Sequence, residues 1–341
     1  MIETQIQKYP PTRFMGSKQS ILPNIREATQ NLDFLDVIDL FSGSGVVSYM
    51  FKAMGKQVYS NDFMKMNSIF STALIENNSI ILTDPEVEEL LHYPHQTDGF
   101  IAKTFNGLYF SDEENHLLDR VRFGIKAVGD KYKRAIAMTA LIRAAIKKRP
   151  RGIFAYTGDR YNDGRRDLKV SLEDHFREAV NTINRAVFNN GKNNLSLCED
   201  AMKVSLKAQV IYMDPPYFSP YSDNDYVRRY HFVEGLACDW DGLDIQTHTK
   251  TKKFKSYPSP FSSRNGAINA FDILLKRFRS SIILISYSSN SLPTREEMLS
   301  LLYRYKRHVD VISIDYRYSF ANHRQRKTDN NKVKEFLFLG Y

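Results

Sequence analysis

Two cysteines in 341 residues, Cys198 and Cys238, are too few for a disulfide framework or a cysteine-based zinc site. A reducing cytoplasm is the expected compartment. No apolar run approaches the ~18 residues of a membrane helix. The N-terminus, MIETQIQKYPPTRF, carries no hydrophobic signal region, so no membrane partner is expected. Internal repeats and low-complexity tracts are also missing. The eight histidines are scattered and form no ligand cluster, so no metal is expected; His231 and His248 read as surface or structural residues. Acids are in deficit, 39 against 48 Lys and Arg, for a net charge of +9. That balance suggests an anionic partner, with nucleic acid first in line.

What is present is an ordinary globular chain, 42% hydrophobic and 26% charged, able to bury a core. Its length suggests about two domains, or one large domain with insertions. The pattern opens as βαβα: a helix over 17–30, a strand over 35–41, a helix from Val46 to Met54, a strand over 57–61, then helix again. A parallel sheet follows from that alternation. Residues 113–149 and 171–189 read as helical, and 208–213 as a buried strand. The C-terminal part returns to α/β, with helices near 267–279 and 294–305 and strands at SIILISY, VDVISID and EFLFLGY. These patterns predict a discontinuous α/β domain, 1–90 with 200–341, and a mainly helical, basic insertion over 91–199.

In DLFSGSG, small residues follow a buried strand and lead into a helix. Such a loop lets backbone approach a ligand closely and offers free N–H groups. Asp62 ends the next strand, 19 residues after Gly43, where an acid accepts hydrogen bonds from ribose hydroxyls. A dinucleotide fingerprint would want Gly or Ala at position 48, where this chain has Ser48, which disfavours a nicotinamide dehydrogenase. Further on, VIYMDPPYFSPY places Asp214 at the end of a strand, with Pro215 and Pro216 fixing φ and donating no N–H. A carboxylate and carbonyls without competing donors suit an NH2 group, and Tyr217 adds a surface for a planar ring. This combination describes a nucleobase pocket, and a base in a duplex must be flipped out to reach it.

DPPY at 214–217 together with FSGSG at 41–45 resembles the amino-methyltransferases that use S-adenosylmethionine (SAM). RFMGSK at 13–18 resembles the N-terminal motif of the Dam-like DNA adenine methyltransferases, and CEDA at 198–201 resembles their acid facing the cofactor's adenine. The motif order matches the group whose target-recognition region lies between the Gly loop and DPPY. The resemblance implies a Rossmann-like, seven-stranded methyltransferase sheet with SAM as cofactor and double-stranded DNA as partner. It implies an adenine-specific enzyme, either solitary or paired with a cognate restriction endonuclease. It places Phe14, Lys18, Asp39, Phe41, Gly43, Gly45, Asp62 and Asp200 at the cofactor, with Asp214 beside it. Asp214 and the Pro215 carbonyl would hold the target amine, Pro216 would stiffen the turn, and Tyr217 would stack on the base. Ser17 stands where a second Gly is common in that motif.

Neither cysteine follows a proline, which argues against a cytosine C5 enzyme. An RNA adenine methyltransferase and a non-catalytic nucleic-acid-binding protein are the competing readings. Basic clusters supply the expected DNA contacts. They are Lys147, Lys148, Arg149 and Arg151; Arg165 and Arg166; Lys252, Lys253 and Lys255; and Arg324 and Arg326. Tyr156, Tyr161, Phe254 and Tyr257 lie among them as candidates to stack or wedge.

Overall fold

The computed structural model describes residues 2–155, 164–218, 225–317 and 332–341. Seven strands form one sheet: β1 (Asp36–Asp39), β2 (Gln57–Asn61), β3 (Leu195–Leu197), β4 (Val210–Met213), β5 (Ile282–Ser288), β6 (Val309–Arg317) and β7 (Lys332–Gly340). Their order is β3-β2-β1-β4-β5-β7-β6. β1 to β5 run parallel, and β7 is inserted antiparallel between β5 and β6. The central parallel strand β4, Val210–Met213, is a continuous apolar run, fully buried, as expected where helices cover both faces.

Register fixes the site. Asp39 pairs with Ser60 of β2 and Tyr212 of β4, so these three strands end side by side. The strand order also reverses between β1 and β4, and such a switch point opens a crevice at the carboxyl ends of the strands.

Two apolar cores flank the sheet. One is closed by the helices Arg264–Arg277 and Arg295–Tyr303. The other contains Val46–Ala53 and Tyr226–Cys238, together with the long helices Asp112–Ala127, Lys131–Lys147 and Leu172–Ala186. Leu172–Ala186 shows why these segments fold as they do. Leu172, Phe176, Ala179, Val180, Ile183 and Ala186 recur at helical spacing on the buried side, and Ser171 caps the start by accepting Asp174 N–H at 3.0 Å. The helices of the 91–199 region thus share one continuous core with a face of the sheet. That region also contains β3, which pairs with β2.

Candidate active site

The Gly loop leaves β1 through Leu40 N–H, which donates to Tyr212 O at 3.1 Å, and Ser42 N–H, which donates to Asn61 O at 2.8 Å. Gly43 and Gly45 turn the chain at φ 50° and 83°, a region that favours glycine. A side chain on Gly43 would come within 3.2 Å of the Phe14 ring, so the loop and the N-terminal motif are in close approach. Ser48, where a dinucleotide fold would keep Gly or Ala, is fully buried. Its hydroxyl donates to Asp39 Oδ2 at 2.7 Å and also bonds Ser60 at 2.9 Å.

The loop, the carboxyl ends of the strands and the N-terminal motif line one open cleft. Phe14, Lys18, Asp39, Phe41, Gly43, Asp62, Asp214 and Pro216 all line it. Asp62 is buried; Oδ2 accepts Gly43 N–H and Oδ1 accepts Met64 N–H, both at 2.9 Å. Burial raises its carboxyl above the ordinary range, and those two N–H groups oppose the rise. Asp39 is fully buried, and burial lifts it to about 7 against the Ser48 hydrogen bond. Its Oδ1 has no hydrogen-bond partner among the described residues, although the Phe41 amide lies beside the carboxylate.

Asp214 extends one residue past β4, and its Oδ1 lies 2.8 Å from Lys18 Nζ, with side-chain exposures of 15% and 6%. Burial penalises both charges. For Lys18, the carboxylates of Asp214 and Glu335 outweigh that penalty and hold its pKa well above the usual lysine value. Burial raises the Asp214 carboxyl while Lys18 pulls it down. The 2.8 Å contact makes the pair ionic, an ammonium on a carboxylate. Pro215 is buried behind Asp214. Tyr217 packs edge-on against Tyr287, with centroids 5.8 Å apart, and borders a small concavity beside the cleft with Lys18 and Glu335.

Three expectations fall elsewhere. Gly45 shapes the helix entry but does not line the cleft. Asp200 is exposed, outside the lining, with Oδ1 accepting Met202 N–H at 2.9 Å. The run 147–149 is not a surface cluster: Lys147 pairs with Glu178 at 2.8 Å, and Lys148 pairs with Glu114 at 2.8 Å. Arg149, only 6% exposed, donates to Tyr109 O at 2.6 Å and lies over the Tyr109 ring. These cations are consumed in tying the helical layer together.

Arg151, Arg166 and Lys255 are exposed, whereas Arg165, Lys252 and Lys253 are half-buried, Lys252 donating to Thr104 O. Phe254 is buried and Tyr257 bonds Glu234 at 3.1 Å, so both serve the core. Arg324, Arg326, Tyr156 and Tyr161 lie outside the described residues. His231 is buried against Phe154 O and His248 is exposed. Both cysteines are free. Among the described residues no group of side chains is arranged to hold a metal, and no helix is long and apolar enough to cross a membrane.

Sequence patterns gave no notice of Tyr226, Phe63 and Asn67, which also line the cleft. A half-buried aromatic or a buried amide has no motif of its own until its neighbours are placed.

A family profile for the D12 class N6 adenine-specific DNA methyltransferases matches residues 14–290. The chain belongs to this family. The adenine methyltransferase is 31% identical to the type II methyltransferase M2.HphI of Haemophilus parahaemolyticus, over 97% of this chain and 98% of the relative. It is 28% identical to the type II methyltransferase M.FokI of Planomicrobium okeanokoites, over 96% of this chain but only 52% of that longer protein. It is 24% identical to M.NlaIII of Neisseria lactamica, over 87% and 86%. In the methyltransferase the Gly loop and, from DPPY, Asp214 and Pro216 line the same cleft.

Proposed function

We propose that this adenine methyltransferase moves the methyl group of SAM to the exocyclic amine of an adenine flipped out of duplex DNA. The observation that carries the reading is Asp214, a half-buried carboxylate at the switch point, lining the same cleft as the Gly loop, Asp39 and Asp62. The residues fit this cofactor. Among the described residues Asp39 Oδ1 is a buried acceptor with no short hydrogen bond, only the Phe41 amide beside the carboxylate, which suits a cation, and SAM is cationic. The helix Val46–Ala53 begins at Gly45 without a side-chain cap, leaving first-turn N–H groups for a carboxylate. Asp62, with two short backbone bonds and the Asn67 side chain and Phe63 amide nearby, would turn carboxylate lone pairs to the ribose hydroxyls. Phe14 and Phe41 supply apolar wall.

When bound, the cofactor supplies an electrophilic methyl group. The chain does the rest by holding and orienting the acceptor. Lys18 occupies Asp214 Oδ1, and we assign Oδ2 to the target amine, with the Pro215 carbonyl as second acceptor. Two hydrogen bonds from the amine favour a more tetrahedral nitrogen with its lone pair free. Positioning then contributes much of the rate. Tyr217 provides the stacking surface. Transfer of tritium from labelled SAM to duplex DNA, recovered as N6-methyladenine after digestion, tests the reading; label in RNA alone, or in neither, contradicts it. The type II names of the relatives support a role in restriction-modification beside a cognate endonuclease.

Asp39 makes binding pH-dependent. A cation favours the Asp39 carboxylate, whereas the free protein holds a proton there below about 7. Binding below that pH must expel the proton. Affinity for SAM is therefore expected to fall as pH drops from 8 to 6, by up to about tenfold per pH unit. Asp39→Asn should flatten the profile. Calorimetry across that range, in two buffers of different ionisation enthalpy, measures the proton release directly.

For DNA, we propose Arg151, Arg166 and Lys255 as phosphate contacts. Arg151 adopts φ 58° on a turn anchored by the buried Arg149 and Phe154, next to the N-terminal motif. Strain held on a rigid turn of this kind is found where a side chain is being aimed. Alanine at all three should weaken every duplex about equally and flatten the salt dependence. Lys147→Ala should leave affinity unchanged, because it already pairs with Glu178. Gel-shift titrations at two salt concentrations compare them.

A further inference from the structure

The helix Tyr226–Cys238 follows DPPY by a short stretch of chain and presents one face to both walls of the cleft. Tyr226, Tyr230 and Glu234 recur at i, i+4 and i+8 on that face. Tyr230 is fully buried; its hydroxyl accepts Met15 N–H at 2.8 Å, and its ring lies parallel to Phe14, 5.1 Å away at 3°. Tyr226 also stacks on Phe14, at 5.9 Å, and its hydroxyl fills the space where Gly16 would carry a side chain. One turn on, Glu234 takes Lys65 N–H at 2.8 Å and Met66 N–H at 2.9 Å. Those two N–H groups open the helix whose Asn67 lines the cleft.

One helix face therefore fixes the N-terminal motif on one wall and the start of Lys65–Ser71 on the other. We propose that Tyr230 is a positioning residue for the cofactor site, holding the Phe14–Lys18 loop in its binding geometry through the Met15 amide and the Phe14 ring. This rests on the SAM reading above. Tyr230 touches no reacting atom. Its effect reaches the chemistry through Phe14, which walls the cleft, and through Lys18, three residues beyond Met15 and paired with Asp214. Without the hydroxyl, the Met15 N–H loses its acceptor and the loop is free to sample other paths. The cofactor must then reorder the loop as it binds, which weakens binding by preorganisation lost.

The test uses Tyr230→Phe, which keeps the stacked ring and removes the hydroxyl that accepts Met15 N–H and donates to Arg13 O at 3.4 Å. The control is Tyr109→Phe, another buried tyrosine hydroxyl, which donates to Phe154 O and Thr251 O and does not line the cleft. Calorimetry with S-adenosylhomocysteine reads cofactor-site affinity without turnover; thermal melts of the ligand-free proteins read the fold. Tyr230→Phe is expected to weaken S-adenosylhomocysteine about tenfold, the scale of a buried amide left unpaired. It should raise KM for SAM in step, leave kcat at saturating SAM within about threefold, and leave duplex affinity unchanged. Tyr109→Phe should lower the melting temperature and leave S-adenosylhomocysteine affinity intact. Unaltered affinity in Tyr230→Phe, or an equal loss in both variants, overturns the positioning role. A wild-type protein that does not bind S-adenosylhomocysteine overturns instead the SAM reading on which it depends.

Discussion

Asp214→Ala is expected to lower single-turnover methyl transfer by at least about 10²–10³-fold, the loss seen when one preorganised hydrogen-bonding group is removed from a reacting centre. The carboxylate lies at the carboxyl end of β4 with its Oδ1 already committed to Lys18, so its remaining oxygen is the acceptor assigned to the amine. Duplex binding should survive, because the proposed phosphate contacts lie on other segments. Some loss of stability should accompany the change. Lys18 would remain buried at 6% exposure, left with the Glu335 carboxylate and the Gly16 carbonyl at 3.4 Å. Titrating duplex into the variant and measuring its melting temperature separate that structural cost from the chemical one.

Lys18→Met should produce the second large effect, in two readouts. Removing one member of a buried ion pair leaves an uncompensated charge, at a cost on the scale of about 3–5 kcal/mol. The second readout is the pH profile. In the wild type, burial raises the Asp214 carboxyl and the Lys18 ammonium opposes the rise. With methionine only burial remains. The carboxyl then stays protonated to higher pH, and a protonated Asp214 presents an O–H donor toward an amine that needs an acceptor. Activity should therefore rise with pH later than in the wild type, the acid limb moving to higher pH. An unchanged acid limb would mean that Lys18 does not govern the ionisation of Asp214.

Much of the site was legible because its chemistry is local in the chain. The Gly loop, Asp62 and DPPY each sit at the end of a short strand, and a parallel sheet brings strand ends together without further instruction. β2 coincides with the expected 57–61, and β4 begins two residues inside the expected 208–213. β3 escaped notice because Leu195–Leu197 is three residues of alternating polarity, half-buried at the sheet edge, too short to show a period. The basic run 147–149 misled for a different reason. Its charge is visible in sequence, but Glu114, Glu178 and the Tyr109 carbonyl reach it only through packing of three helices and a turn. Tyr230 was silent because its contacts with Met15 and Phe14 span some 215 residues, and nothing in a single tyrosine advertises such a partner.

The central claim is that DPPY divides its labour, the acid activating the amine and the ring holding the flipped base. Base stacking on an aromatic side chain is worth about 1–3 kcal/mol, so Tyr217→Ala should weaken the enzyme without silencing it. Flipping costs less where the target adenine faces a mismatch or an abasic position. The most direct measurement is the single-turnover rate of Asp214→Ala and Tyr217→Ala on paired and mismatched duplexes. The account predicts that the mismatch restores much of the Tyr217→Ala rate and none of the Asp214→Ala rate. Equal rescue of both variants, or of neither, would contradict it.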